Sequence, residues 1–140
     1  MPGEALDLQV ALGRYRHLLF DTSVLIDEFK RPSGRLGRVN IPQRATSVVA
    51  VWEFLHGRDR QLLPARERRD RRGWLDDQRI VRLPITAGGG KSFESLIEID
   101  GPPGLADVLL AAECLARGVP CVTRNVRDFA IVAGLRYVAW

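Results

Sequence analysis

Long apolar runs, cysteine and histidine are all scarce in this chain of 140 residues, and each scarcity removes a class of protein. The two cysteines, Cys114 and Cys121, lie in apolar segments without ligand spacing. They argue against a disulfide scaffold or a thiolate metal site and are expected as buried free thiols in a reducing compartment. The two histidines, His17 and His56, stand near no nucleophilic Ser or Cys pattern, so both are expected to be structural. Glu4, Asp7, Arg14 and Arg16 interrupt the apolar residues of the amino terminus, which reads as neither a signal peptide nor a membrane span. A cytoplasmic protein with no membrane partner is expected. There is no repeat or low-complexity tract, and a chain of this length predicts one compact domain over residues 1–140, burying roughly two-thirds of its unfolded surface.

Charge is present with a modest positive excess. A net charge of +4 and a pI near 9.7 favour contact with polyanions without proving it. Much of the excess lies between Arg58 and Arg72, where seven arginines face three acids. That run reads first as a solvated helix face, and otherwise as a ridge that would hold phosphates without reading sequence. Gly88-Gly-Gly-Lys-Ser92 resembles a phosphate loop, but the Walker pattern needs glycine at position 85, where Ile85 stands. Asp21-Thr-Ser23 lacks the second acid at position 23 that a phosphoaspartyl mechanism requires.

Three acids occupy apolar settings. Asp21 closes the run His17-Leu-Leu-Phe20 and precedes Val24-Leu-Ile26, a pattern of buried strand, tight turn and helix that puts its carboxylate at a strand's carboxyl end. In open α/β sheets ligands bind at that end. Glu53 lies in a helical segment between Ala45 and Gly57, with Val48, Val51, Trp52 and Leu55 at helical spacing, Ser47 as its cap and Gly57 at its end. Asp107 is the one charge between Leu105 and Ala112, in a segment apolar nearly all round. Carboxylates are rarely fully buried unless paired or bound to metal. Taken singly, each acid also fits a plain role: a cap for Asp21, an exposed flank for Glu53, a first-turn acid for Asp107.

The coarse order is a strand over 17–20, a helix over 22–30, a Pro/Gly loop, a short strand near Val39–Ile41 and the Glu53 helix. A basic helix ending near Trp74, a strand over Ile80–Ile85, a helix near Lys91–Ile99 and the Asp107 helix follow. Strands at Cys121–Thr123 and Tyr137–Ala139 complete it. Strands alternating with helices predict an α/β fold with a mainly parallel sheet covered on both faces. Gly101-Pro-Pro-Gly104 is expected to set the angle at which Asp107 enters the site.

Asp21-Thr-Ser-Val-Leu-Ile26, the Glu53 helix, Leu105-Ala-Asp-Val-Leu-Leu-Ala-Ala112 and Val122-Thr-Arg-Asn-Val-Arg-Asp-Phe129 resemble the motifs of PIN-domain ribonucleases, especially VapC-type toxins of bacterial toxin–antitoxin pairs. The resemblance runs from about Leu18 to Trp140. It implies one PIN-like three-layer α/β/α domain and a metal site in which Asp21, Glu53 and Asp107 match the three family acids. At the fourth position, where PIN domains often carry an acid, this chain has Asn125, with Asp128 three residues on. Supporting roles are expected for both, Asp128 alone adding charge to the metal set.

Converging carboxylates repel one another, and a divalent cation relieves the conflict. Oxygen donors without thiolate or imidazole select Mg2+ or Mn2+ over Zn2+. Asp21 and Asp107 are the expected ligands, directly or through a water, with Glu53 orienting the attacking water and helping to deprotonate it. The resemblance further implies hydrolysis of an RNA backbone, transfer RNA or a ribosomal RNA loop, to a 5′-phosphate and a 3′-hydroxyl. It implies a cognate antitoxin, a homodimer, and a heterotetramer or octamer with that antitoxin. Apolar positions on the helix from Val24 to Phe29 and on the Glu53 helix are candidates to receive the antitoxin or a second subunit. The alternative is a catalytically silent PIN-fold module that binds RNA or protein, towards which only Asn125 leans.

Overall fold

Alternation of side chains along very short strands builds two separate cores here. Leu18 and Phe20 pack into one apolar cluster and Leu19 into another; Val122 and Cys121 divide in the same way, as do Val138 and Tyr137. A strand with both faces covered in this manner belongs to the middle of a layered α/β fold. The computed structural model describes residues 2–57, 62–96 and 104–140. Its strands are β1 (Glu4–Leu6), β2 (Leu18–Phe20), β3 (Arg44–Ser47), β4 (Val81–Leu83), β5 (Cys121–Thr123) and β6 (Arg136–Ala139). They form one sheet in the order β1-β6-β5-β2-β3-β4, with every pair parallel.

The first core gathers α1 (Leu8–Arg14), α2 (Thr22–Lys30), α3 (Val48–His56) and α4 (Ala65–Asp77) against one face of the sheet. The second gathers α5 (Ala87–Leu96), α6 (Leu105–Arg117) and α7 (Val126–Ala130) against the other. The three-layer α/β/α architecture expected from the sequence is the one observed. Its sheet reverses winding direction between β2 and β5, which are neighbours although far apart in the chain. Such a reversal opens a crevice at the carboxyl ends of the strands.

Several elements match their sequence expectations: the helix Thr22–Lys30, the strand Cys121–Thr123, and α3 with Ser47 accepting from the Ala50 amide and Gly57 at φ 102°. Others move. The strand expected near Val39–Ile41 is replaced by 3₁₀ turns at Arg35–Arg38 and Ile41–Gln43, and the strand begins at Arg44. Pro42 has no amide to give a ladder, and Gln43 turns inward to donate Nε2 to the carbonyls of Leu12 and Tyr15 at 2.7 and 2.8 Å. The strand that does form, Arg-Ala-Thr-Ser, has small residues at Ala45, Thr46 and Ser47 and shows no apolar run.

The expected strand over Ile80–Ile85 shortens to Val81–Leu83, and His17 precedes β2 rather than joining it. The strand Glu4–Leu6, helix α1 and short helix α7 were not anticipated. The basic helix runs on to Asp77. The helix expected near Lys91–Ile99 starts instead at Ala87 and takes in Gly88-Gly-Gly90. There the Thr86 hydroxyl accepts from the Gly89 amide at 2.9 Å, and buried Glu113 lies against Gly89. Positions 97–99 and 101–103, with the Gly-Pro-Pro part of the expected linker, lie outside the described residues, as do Arg58 and Arg60 of the basic run.

Within that run Arg71 corrects the solvated-face reading. It is 4% exposed, donates to the Phe54 carbonyl at 2.8 Å and to Glu67 at 3.0 Å, and lies 5.3 and 4.9 Å from the ring centres of Phe29 and Phe54. A guanidinium so held is part of the core between α2, α3 and α4. Val24 and Leu25 are likewise core, so the apolar docking face proposed for α2 shrinks to half-buried Ile26 and Phe29. The exposed apolar face is on α3, at Val48 and Trp52, the latter 61% exposed and stacked on His56.

Candidate active site

The register of β2 with β5 decides where the first acid goes. Leu19 faces Cys121 and Phe20 faces Val122, so the residues that follow, Asp21 and Thr123, come side by side at the carboxyl end of both strands. The Asp21 amide donates to the Val122 carbonyl at 2.9 Å, continuing the ladder by one bond. Asp21 is 1% exposed, and its carbonyl accepts the first amides of α2 while its side chain makes no cap. Instead Oδ2 accepts from the Ser23 hydroxyl at 2.7 Å and from the Thr123 hydroxyl at 2.9 Å. Hydrogen bonds to an ionised acceptor are about twice as strong as neutral ones, which suits a buried carboxylate.

Glu53 enters from α3, which follows the neighbouring strand β3. Its Oε1 accepts from the buried Thr22 hydroxyl at 2.8 Å, so consecutive residues of the Asp21-Thr-Ser23 turn brace two different acids. Asp107 lies in the first turn of α6, where the helix dipole favours a negative charge. Asn125 precedes α7; its amide donates to the Thr123 hydroxyl at 2.8 Å and its carbonyl accepts from the Asp128 amide at 3.0 Å.

These elements bring Glu53, Asp107, Asn125 and Asp128 together on the wall of one cleft of about 350 Å³, with residues 104–106 beside them. Asp21 is not on that wall. It sits buried, joined to the cleft by Thr123, which donates to Asp21 and accepts from Asn125. Among the described residues no three acidic, histidine or cysteine side chains converge as a ready ligand cage. The acids line an open cleft. Mg2+ usually keeps several of its waters and takes one or two carboxylates, so an open set of oxygen donors fits such an ion better than a closed cage would.

The thiols stay out of this chemistry. Burial first, then a hydrogen bond with Cys114 and electrostatic interaction with Cys114, Asp21 and Asp107, raise the Cys121 thiol well above the usual thiol range. A thiol held protonated is a poor metal ligand. The residues that sequence reasoning passed over are the hydroxyls, Thr22, Ser23 and Thr123. Thr22 and Ser23 carried a signal of position, following Asp21 directly at the end of an apolar strand, whereas Thr123 has no acid beside it in the sequence and meets Asp21 only through the register of β2 with β5.

The sequence matches the family described as PIN domain over residues 18–135. It is 27% identical over 127 residues to the "tRNA(fMet)-specific endonuclease VapC" of Shigella flexneri, covering 87% of this chain and 96% of that protein. The fold is similar to that in a DNA-bound VapBC structure from Salmonella typhimurium, with a TM-score of 0.73, 24% identity, and coverage of 88% of this chain and 97% of that one. It is also similar to a chain of VapBC2 from Rickettsia felis bound to a promoter DNA fragment, with a TM-score of 0.72, 17% identity, and coverage of 88% and 98%. On the extent of the family match, the chain belongs to the PIN domain family.

Proposed function

We propose that this protein is a Mg2+- or Mn2+-dependent endoribonuclease, the toxin of a toxin–antitoxin pair, whose cleavage of transfer or ribosomal RNA inhibits translation. The observation that carries the reading is the placing of Glu53, Asp107, Asn125 and Asp128 on one cleft at the carboxyl end of a parallel sheet, with braced Asp21 beside it. The naming of similar proteins as endonucleases supports it.

Asp21 and Asp107 would hold the ion, with Glu53 and Asp128 completing its surroundings. A bound divalent ion supplies Lewis-acid polarisation of the phosphodiester and a more acidic water. Ser23 and Thr123 keep Asp21 in one orientation, and Thr22 does the same for Glu53. In this reading Glu53 would orient the attacking water and accept its proton. Asn125, fixed by Thr123, presents an uncharged polar group to the substrate side of the cleft. The exposed Val48–Trp52 face of α3 is the surface offered to an antitoxin, in keeping with the toxin–antitoxin complexes among the similar structures.

Purified antitoxin-free protein incubated with total cellular RNA and Mg2+ or Mn2+ should give discrete new 5′ ends. These should be absent with EDTA and in the Asp21→Asn and Asp107→Asn variants. Calorimetric titration with Mn2+ should show binding that Asp107→Asn weakens. Metal binding by a folded protein that leaves every RNA intact would instead favour the silent binding module.

A further inference from the structure

Asn125 also lines a second recess, of opposite sign to the acidic cleft. It occupies about 200 Å³ and is bounded by Ser23, Ile26, Asp27, Arg31, Arg124 and Asn125. Arg124 reaches across from the turn after β5 to donate NH1 to Asp27 Oδ2 at 2.6 Å, and Arg31 donates NH2 to Asp27 Oδ1 at 3.3 Å. The two arginine side chains are 48% and 82% exposed, and Asp27 beneath them is 13% exposed.

As a brace this arrangement does little. Exposed ion pairs contribute roughly 0–1 kcal/mol, and one arginine would satisfy the acid as well as two. Two guanidinium groups on one carboxylate leave a surplus positive charge. Each guanidinium carries five N–H donors in a planar fork, of which Asp27 engages one in each case. The cluster is also rigidly coupled to the acids. The Arg124 amide donates to the Ser23 hydroxyl at 3.2 Å, and that hydroxyl donates to Asp21.

We propose that Arg31 and Arg124, held by Asp27, form a phosphate-binding subsite for the RNA strand next to the acidic cleft. This rests on the nuclease reading for its substrate and specifies how the strand is held. Carboxylates repel a polyanion, so a strand laid over this cleft needs attraction at a neighbouring phosphate, and the recess supplies it one residue away from Asn125. The space is several times the roughly 30 Å³ of one water, enough for a phosphate group with its hydration.

The test is binding without cleavage. A fluorescein-labelled, mixed-sequence 12-nucleotide RNA is titrated with full-length protein in EDTA at a series of KCl concentrations, and anisotropy is read. The Arg31→Gln/Arg124→Gln double variant should bind about tenfold more weakly, equivalent to about 1.4 kcal/mol. Its plot of log K against log salt should be shallower by about 0.7, the loss of one phosphate contact on a single strand. Arg136→Gln removes one positive charge at the amino end of β6, away from the recess, and should leave the slope unchanged. A double variant with wild-type affinity and slope overturns the proposal. So does weaker binding with an unchanged slope and a lowered melting temperature, the mark of a mere brace, and so does a wild-type protein that does not bind the RNA. Wild-type binding with the predicted slope change, from protein that cuts nothing when Mg2+ is restored, would sustain the subsite while refuting the nuclease reading.

Discussion

Replacing Thr123 by valine tests the brace on Asp21 with almost no change of shape. The threonine hydroxyl is fully buried, donates to Asp21 Oδ2 at 2.9 Å and accepts from the Asn125 amide at 2.8 Å. Loss of a hydrogen bond to a charged group costs about 1.5–3 kcal/mol, and loss of a neutral one about 0.5–1.5 kcal/mol. The Asn125 amide is only half-buried and can recover part of its bond from water, so the net cost should be about 2–4 kcal/mol. That is a large share of the 5–15 kcal/mol typical of a domain. Thr123→Ser keeps the hydroxyl and loses one methyl group, for which about 1 kcal/mol is expected. Urea denaturation in EDTA should therefore rank wild type, Ser, then Val, with the valine variant at least 1 kcal/mol below the serine variant. RNA cleavage should fall in the same order. A valine variant as stable as the serine variant would refute the claim that this hydroxyl holds the buried acid.

Two further outcomes follow from the second core. Gly89→Ala should destabilise although alanine is the better helix former by about 1 kcal/mol, because the added Cβ would lie 1.7 Å from Glu113 Oε1. Glu113 must then give up its bond from the Thr86 amide at 2.8 Å, worth about 1.5–3 kcal/mol, and a urea midpoint at or above wild type would contradict this. Cys114 and Cys121 are buried free thiols, and Cys121 is additionally held protonated by burial and by its Cys114 hydrogen bond. Intact-mass spectrometry after iodoacetamide at pH 8 should find neither alkylated until urea unfolds the chain, whereas alkylation of the native protein at the rate of a free thiol would show them accessible.

The parts of the fold legible in the sequence are those in which one apolar pattern dominates. Leu18-Leu-Phe20 and Cys121-Val-Thr123 are buried on all sides and read as such, whereas the helix from Leu105, apolar nearly all round, buries Val108 and the stretch from Leu110 to Cys114 but leaves Leu105 itself 68% exposed. β3 was misplaced because Ala45, Thr46 and Ser47 reach the sheet's interior without bulk: Thr46 satisfies its hydroxyl on the Phe20 carbonyl at 2.7 Å, and Ser47 caps α3. Arg71 was read as solvent-facing because nothing local distinguishes it from Arg69 or Arg72. What makes it core is the aromatic pair Phe29 and Phe54 from two distant helices. The helical glycines 88–90 owe their conformation to Thr86 and Glu113, the latter more than twenty residues away. The acids of the site were visible as charges in apolar surroundings. The hydroxyls that position them were not, since a threonine ending a strand is ordinary until the register of β2 with β5 puts Thr123 beside Asp21.

The buried acids also separate by how their oxygens are used. Glu28 accepts from the Ser33 hydroxyl and Trp140 Nε1 on Oε1 and from the Ser33 amide on Oε2. Glu113 accepts from the Thr86 amide on Oε1 and from Arg117 Nε on Oε2. In both, donors from the protein itself engage each oxygen, which is what stability asks of a buried carboxylate. Asp21 is as buried as either, yet both of its hydrogen bonds fall on Oδ2, and Oδ1 takes none among the described residues. A carboxylate fixed through one oxygen leaves the other for a further partner, which is what the metal role proposed for Asp21 requires. Glu53 follows the same pattern, braced by Thr22 on Oε1 while it lines the cleft. Saturated acids hold α2 to the carboxyl-terminal Trp140 and α6 to the start of α5. The two half-braced acids, Asp21 and Glu53, follow β2 and β3 at the carboxyl end of the sheet, which is the end where the candidate site lies.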